Sequence, residues 1–124
     1  MPENVRVLTG IQAFYYLSDT DFGIAMDRMC RAMLPGAIVF ATMMGEQCEE
    51  FFDNSTPAHD GLRCVNFKND RLDVKNYFIS FIRDEDHLKR KFEMFKPVHI
   101  GHYTQKLRND EGTGFHWTFC GVKG

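Results

Sequence analysis

The feature that most constrains the fold is an unbroken apolar run, AIVFAT, at residues 37–42. A strand with one face in water alternates apolar and polar residues, whereas an unbroken run is typical of a strand covered on both faces. A short β-prone segment at residues 5–9, closed by Gly10, precedes this run. Two such strands with a helix between them predict a β-α-β crossover, in which the strands are parallel and the connection is right-handed.

The intervening segment has the signals of an amphipathic helix. Ser18 stands at the N-cap, and Asp21 takes the capping-box position three residues later. Pro35 and Gly36 end the helix, because proline disfavours a helical conformation in the preceding residue and glycine tolerates the turn. Apolar side chains recur at helical spacing and predict one buried stripe: Phe22, Met26, Met29, Cys30 and Met33.

The second half of the chain has a different pattern. Residues 47–52 predict a short helix, and the turn formers at 53–57 predict a loop. Residues 74–82 contain an aromatic β-prone run, YFISFI, and residues 84–86 open another helix. The apolar side of that helix is predicted to carry four side chains: Leu88, Lys91, Phe92 and Phe95.

The chain ends in a predicted antiparallel hairpin, with strands at 97–107 and 114–122 joined by RNDEGTG. Alternation along the last strand predicts Phe115, Trp117 and Phe119 on one face. The other face then receives His116, Thr118 and Cys120. A turn centred near residue 111 would place His116 opposite Leu107.

Composition excludes several functional classes. The 124 residues fit one domain, and a net charge of −2 without a basic stripe disfavours nucleic acid as the main partner. The four cysteines form no C-x-x-C pair, which argues against a zinc site, and we interpret Cys30 and Cys120 as buried small apolar residues. Reduced thiols and the lack of a signal peptide favour a cytoplasmic setting. The longest apolar run is too short to cross a membrane.

Three segments, taken in order, resemble the C-terminal half of a class I S-adenosylmethionine-dependent methyltransferase of the type 11/12 kind. AFYYLSD at 13–19 is similar to the ALHYL-x-D segment that follows a central strand in that family. RMCRAMLPGA at 28–37 is similar to its aRvLkPGG helix end, and MFKPV at 94–98 to its GF-x-V phrase. The resemblance implies an α/β fold with a partial Rossmann-like sheet. Residues 1–124 would form a single domain, with a parallel β-α-β unit followed by a helix and an antiparallel hairpin.

The sequence also departs from that family. The family binds its cofactor mainly through a glycine-rich loop and an acidic residue in its first half, and no such unit stands in these residues. The one G-x-G, at residues 112–114, falls in the predicted hairpin turn, and Arg6 lies near the place where an acidic residue often opens the fourth strand. The resemblance therefore implies S-adenosylmethionine as the cofactor of the complete fold, with the cofactor-binding half absent from this chain.

The resemblance assigns candidate site residues to the carboxyl ends of the strands, where doubly wound sheets bind ligands. Gly10, Ile11 and Gln12 are the candidates for the edge of the cofactor. Four residues are candidates for a small-molecule substrate wall: Tyr15, Tyr16, Met44 and Tyr103. The competing interpretation for the two tyrosines is packing under the following helix, and for Met44 and its neighbour Met43 it is filling of the core. No catalytic residue is identified.

Histidine and lysine residues give weaker signals. His99 and His102, three apart on a strand, are predicted on opposite faces, which makes a metal site with His116 improbable. One of these histidines is a possible general base for an amine or hydroxyl substrate, and the alternative is an ordinary histidine on a strand surface. The charged run at 89–91 is predicted to lie on a solvated helix face.

Half of such a fold is expected to associate. The strand at 5–9 would have an unpaired edge, and one sheet face would lack its covering helices. We therefore expect a homo-oligomer or a partner that supplies the missing half. Three functions remain open: a methyltransferase acting on a small amine, hydroxyl or carboxyl compound; an inactive interaction or regulatory subunit; and a free-standing α+β binding domain, which an antiparallel sheet throughout would favour.

Overall fold

The computed structural model describes residues 3–66, 77–106 and 114–124. Within these ranges a 3-10 turn, Phe14–Tyr16, and three helices accompany seven strands. The helices are α1 (Asp19–Ala32), α2 (Glu49–Phe52) and α3 (Glu85–Lys91). The strands are β1 (Val5–Gly10), β2 (Met33–Met44), β3 (Ser55–Pro57), β4 (Arg63–Val65), β5 (Tyr77–Ile79), β6 (Phe95–Gln105) and β7 (Gly114–Lys123).

The main sheet has four strands in the order β1-β2-β7-β6. β1 and β2 are parallel, with α1 between them in the chain, which confirms the predicted β-α-β unit. β7 pairs antiparallel with both β2 and β6, which confirms the C-terminal hairpin. The sheet is therefore not antiparallel throughout, which was the observation that would have favoured a free-standing α+β binding domain.

Helix α1 begins as predicted, because the Ser18 hydroxyl accepts a hydrogen bond from the Asp21 amide at 3.1 Å. It ends at Ala32, earlier than its proline, and Met33 already belongs to β2. The Lys123 ammonium donates to the carbonyls of Cys30 and of Met33, so β7 satisfies the end of this helix. The stripe is also narrower than predicted, since Met29 and Cys30 are only half-buried.

Strand β2 is longer than the predicted run at 37–42. The partners of β1 change from Met33 opposite Val5 to Ile38 opposite Val7, which marks an irregularity in the ladder. Gly36 lies within the intervening residues at a φ of 82°, a conformation that favours glycine. The Pro-Gly step is therefore contained within an irregular start of the strand.

Helix α3 begins at the N-cap Asp84, whose carboxylate accepts from the His87 amide at 2.8 Å. Leu88 and Phe92 are buried as predicted. Phe95 is also buried, but it is the first residue of β6 and not part of the helix. The helix is shorter than expected because the chain turns at residues 92–94 to enter the sheet.

The prediction of a solvated lysine run is wrong for Lys91. Its side chain is only 7% exposed, and its ammonium lies 2.7 Å from an Asp19 carboxylate oxygen. The same ammonium lies 4.6 Å from the centre of the Phe22 ring and 3.3 Å from the Ser80 hydroxyl. Lys91 therefore joins α3 to the start of α1, a contact between distant segments that helical periodicity does not reveal.

The hairpin register also differs from the prediction. His116 lies opposite Tyr103, whereas the sequence had placed it opposite Leu107, which lies outside the described residues. The turn sets the register of a hairpin, and the assumed centre at 111 was therefore too far along the chain. His99 pairs with Cys120 and His102 with Trp117, so these two histidines do lie on opposite faces.

A second sheet, antiparallel and formed in the described residues by the short strands β3-β4-β5, follows β2 and precedes α3 in the sequence. The sequence predicted a loop where β3 lies and a longer strand around β5, of which residues 74–76 lie outside the described part. The Arg63 guanidinium lies 4.5 Å from the centre of the Phe52 ring and donates to the Ser55 hydroxyl at 2.8 Å. The chain then passes the main sheet, where Ile82 donates to the Met44 carbonyl.

The two faces of the main sheet differ in their cover. On one face, the Phe92 ring contacts Phe22 edge to face at 5.3 Å and stacks on Phe119 at 4.7 Å. These contacts join α1 and the end of α3 to β7. On the other face, Val7 and Ile38 are paired neighbours and are 60% and 44% exposed. In the described part of the chain β1 pairs only with β2. The structure thus has the open edge that the sequence led us to expect. The open face is limited to the part around Val7 and Ile38, because Thr42, Met44 and His116 on the same face are buried.

The two cysteines that were predicted to be buried are less buried than expected. Cys30 and Cys120 are half-buried, and Cys48 is the fully buried one. Cys30 and Cys120 lie at the margins of the covered core, which apolar periodicity does not reveal.

Candidate functional site

The candidate site lies at the carboxyl ends of β1 and β2, where Gly10 pairs with Ala41. Two further strands reach this edge, because His116 of β7 lies opposite Met44 and Tyr103 of β6 lies opposite His116. The 3-10 turn Phe14–Tyr16 follows β1 directly and brings Tyr15 to the same place. Four separate segments of the sequence therefore meet where doubly wound sheets place their ligands.

Gln12 forms hydrogen bonds to both β2 and β6. Its backbone amide donates to the Thr42 hydroxyl at 2.7 Å, and its side-chain amide donates to the Tyr103 hydroxyl at 3.1 Å. Gln12 has a φ of 52°, a left-handed conformation that is uncommon outside glycine, and such residues concentrate at functional sites. Thr42 is buried and was not predicted as a site residue. Its position in an apolar run gave no signal.

His116 is the buried centre of the site. Only 7% of its surface is exposed, so the interpretation as an ordinary surface histidine is wrong. Its ring stacks on Tyr103 with centroids 5.0 Å apart and planes 7° apart, and the Tyr15 ring lies 5.9 Å away. Neither ring nitrogen has a hydrogen-bond partner among the described residues. Burial lowers the pKa of His116, so the imidazole is neutral at pH 7.

The two predicted tyrosines have different surroundings. Tyr15 is buried and Tyr16 is 48% exposed, although their ring centroids lie only 4.7 Å apart. Burial, and then the Tyr16 hydroxyl beside it, raise the pKa of Tyr15, so its phenol stays protonated. Tyr15 therefore has the packed position of the competing interpretation and also contacts His116. Tyr16 lies at the surface of the cluster.

Met43 and Met44 are both buried core residues. Their burial agrees with the interpretation in which methionine fills the core. Met44 also lies opposite His116, so the two side chains project side by side from the same face of the sheet. Trp117, which the sequence analysis placed only on a strand face, has a buried indole nitrogen without a partner among the described residues.

The residues after β1 do not make a complete site for S-adenosylmethionine. A Cβ atom on Gly10 would lie 2.1 Å from the nearest Phe14 ring atom, so this chain's own phenylalanine fills the space beside the glycine. Ile11 is 61% exposed and Gln12 is exposed as well. In the described ranges no glycine-rich turn leads from a strand into a helix. Gly10, Ile11 and Gln12 therefore do not enclose a cofactor, and their assignment to the cofactor edge stays a prediction.

Within residues 3–66, 77–106 and 114–124, no three His, Cys, Asp or Glu side chains lie together in a way that would hold a metal ion. None of the helices in these ranges is long and apolar enough to cross a membrane.

Structural comparison identifies the fold. A SAM-dependent methyltransferase from Methanosarcina mazei matches 98% of this chain with a TM-score of 0.70 and 7% identity, and the match covers 61% of that protein. TehB from Haemophilus influenzae matches all of this chain at a TM-score of 0.59 and 13% identity, over 37% of its own length. An echinomycin-biosynthesis structure, described as converting a disulfide bond into a thioacetal group, matches 98% of this chain at 0.59 and 13%, over 50% of its length.

The chain thus has a class I methyltransferase-like fold, which confirms the fold expected from the resemblance. It spans between 37% and 61% of the length of these three structures. No protein-family model matches the sequence, and a search of curated proteins found no match.

The buried imidazole predicts a dependence of stability on pH. The pKa of His116 is lower in the folded chain than in the unfolded chain, so the unfolded state binds more protons as the pH falls below about 6.5. The free energy of unfolding is therefore unaffected by His116 above that pH. It decreases as the pH falls toward the folded pKa, by at most about 1.4 kcal/mol per pH unit. Urea denaturation at pH 7.5 and pH 5.5 measures it, and His116→Phe should reduce the difference.

The experiment needs a control at His87, because burial and then the charge of Arg83 lower the pKa of this histidine too. His87 is half-buried whereas His116 is buried, and the Nδ1 atom of His87 accepts from the Arg83 amide at 2.9 Å. His87→Asn should therefore leave most of the pH dependence in place. If H116F retains the full dependence and H87N removes it, the assignment to His116 is wrong.

Proposed function

We propose that this chain forms the acceptor side of a cytosolic S-adenosylmethionine-dependent methyltransferase that acts on a nitrogen or oxygen atom of a small molecule. Two observations support the proposal: the likeness to methyltransferase folds, and the meeting of Gln12, Tyr15, Tyr103 and His116 at the carboxyl edge of the sheet. The meeting of these four side chains is the observation that carries the proposal. They come from three separate parts of the chain, and the sequence alone does not require them to touch.

The chemistry suits such a site. Methyl transfer from a sulfonium is accelerated mainly by holding the acceptor in line and by excluding water. Aromatic side chains around a buried neutral imidazole form a water-poor environment, and a neutral imidazole can accept the proton of an acceptor hydroxyl or amine. On this proposal, most of the contacts to the methyl donor come from groups other than the described residues.

Titration with S-adenosylhomocysteine, followed by two-dimensional NMR, tests the proposal. We expect weak binding, in the millimolar range, with the shifts concentrated at Ile11, Gln12 and Tyr16. Ile11→Asp should abolish the response, because it places a charge at the exposed edge of the site. Ile24→Asp is the matched control, since Ile24 is a similarly exposed isoleucine on α1. An identical response in both variants, or none in the native chain, would contradict the proposal.

A second candidate is a non-enzymatic interaction subunit, and the open sheet face favours it. Val7 and Ile38 lie side by side on that face beside the unpaired edge of β1. Exposed apolar faces and open edges associate with other chains. Multi-angle light scattering at micromolar concentration should therefore show an oligomer, and Ile38→Lys should shift it toward the monomer while Ile24→Lys should not. A native chain that stays monomeric would exclude self-association.

A further inference from the structure

The unpartnered imidazole is the strongest sign of a missing contact in the described part of the chain. More than nine-tenths of His116 is buried, and both of its ring nitrogens lack a partner there. Buried polar side chains in folded proteins are nearly always hydrogen-bonded, and each exception calls for an explanation. A neutral imidazole has one donor nitrogen and one acceptor nitrogen, so His116 can bind a hydroxyl group that donates to it, accepts from it or does both in turn.

The surroundings of His116 select against charged ligands. Burial is the cause that lowers its pKa, and no charged side chain in the described part of the chain contributes. The other titratable side chains that face it are the phenols of Tyr15 and Tyr103, both in ring contact with it. Among the described residues, a carboxylate or phosphate would find no cation beside the imidazole, and an ammonium would find no carboxylate. A neutral ligand that donates a hydrogen bond loses much less solvation free energy on leaving water than a charged ligand does.

The same surroundings favour a flat ring. Tyr103 stacks parallel to the imidazole, and its centroid distance of 5.0 Å means that the two rings are offset. Part of the imidazole face is therefore in contact with groups other than Tyr103. Tyr15 and the exposed Tyr16 extend the aromatic surface toward solvent. A planar aromatic ligand can stack within this set of rings as the rings now stack on one another.

Access to His116 depends on a contact that opens readily. Tyr103 is half-buried, and its hydroxyl is held by the side chain of Gln12 through an exposed hydrogen bond of 3.1 Å. An exposed hydrogen bond exchanges with water at little net cost. Gln12 itself is fixed by its backbone bond to Thr42, so the side-chain contact can open without moving β1.

We propose that His116 binds a neutral phenolic ligand, whose hydroxyl donates a hydrogen bond to the acceptor nitrogen of the imidazole while its ring stacks beside Tyr103 and Tyr15. Gln12 and Tyr103 form the cover that opens to admit it. This inference rests on the proposed function for the role of the ligand, which is the methyl acceptor. Its test needs no methyl donor, so the two proposals can fail separately.

The test is a titration of the full chain, labelled with 15N-histidine, with 4-methylphenol. Toluene, which lacks the hydroxyl, and benzoate, which carries a charge, are the matched ligands. We expect 4-methylphenol to bind about tenfold more tightly than toluene, the scale of one hydrogen bond to a buried group, and to shift the acceptor nitrogen of His116. The other four histidines serve as internal controls.

Two variants sharpen the result. His116→Phe keeps an aromatic ring but cannot accept a hydrogen bond, so it should bind 4-methylphenol and toluene equally. Tyr103→Phe keeps the stacked ring but removes the bond from Gln12, so it should bind 4-methylphenol a few-fold more tightly. Equal binding of the two ligands by the native chain, preference for benzoate, or shifts at other histidines only would overturn the inference. The native titration gives this answer even if a variant fails to fold.

Discussion

Replacing Phe119 with alanine is expected to lower the free energy of unfolding by about 3–5 kcal/mol, the range for a large aromatic side chain in a core. Phe119 is fully buried, and its ring stacks on Phe92 at 4.7 Å. Phe92 in turn contacts Phe22, so one side chain on β7 supports the packing of both α1 and α3. The variant leaves a cavity between three elements, and such a site collapses poorly.

Urea denaturation, with Phe78→Ala as the matched control, measures this effect. Phe78 is 42% exposed on β5, so its loss should lower the free energy of unfolding by less than about 1 kcal/mol. Equal losses for the two variants would mean that the three-ring contact does not organise the core. Loss of secondary structure in F119A at 25 °C would agree with the prediction, because a domain of this size has only about 5–15 kcal/mol of stability.

The framework of the main sheet was predictable because local signals agreed with one another. Ser18 and Asp21 predicted the start of α1, and the apolar run predicted β2. The aromatic alternation predicted that Phe119 lies on one face of β7. Each of these signals depends on residues close together in the chain. Lys91 shows the limit of such signals, because its partner Asp19 lies on another helix and no periodicity connects the two.

The site was predictable in part for a similar reason. The resemblance identified Gln12, Tyr15 and Tyr103 as candidates. In the structure Gln12 contacts Tyr103, and both tyrosines contact His116. It did not single out His116, because the burial of this side chain depends on the hairpin register and on the 3-10 turn that brings Tyr15 over it. Both are set by the tertiary fold. The short strands β3 and β4 escaped prediction as well, since three residues give no period to detect.

Gly10→Ala is the second large effect, and it distinguishes two roles for a residue first assigned to the cofactor edge. A Cβ atom at this position would lie 2.1 Å and 2.3 Å from two atoms of the Phe14 ring. Phe14 is buried and contacts Phe22 edge to face at 6.3 Å, so its ring cannot move without disturbing the core. Overpacking of this kind lowers the free energy of unfolding by about 1–3 kcal/mol.

Gly23→Ala is the matched control for this prediction. Gly23 lies inside α1, and a Cβ atom there would meet nothing within 4 Å, so the substitution should raise the free energy of unfolding by about 0.5–1 kcal/mol. If Gly10 is small only to admit a ligand, G10A should fold with native stability and lose binding alone. Urea denaturation of the ligand-free chain separates the two roles. Because the ring of Phe14 already occupies the space beside Gly10, we expect the loss of stability in the absence of any ligand.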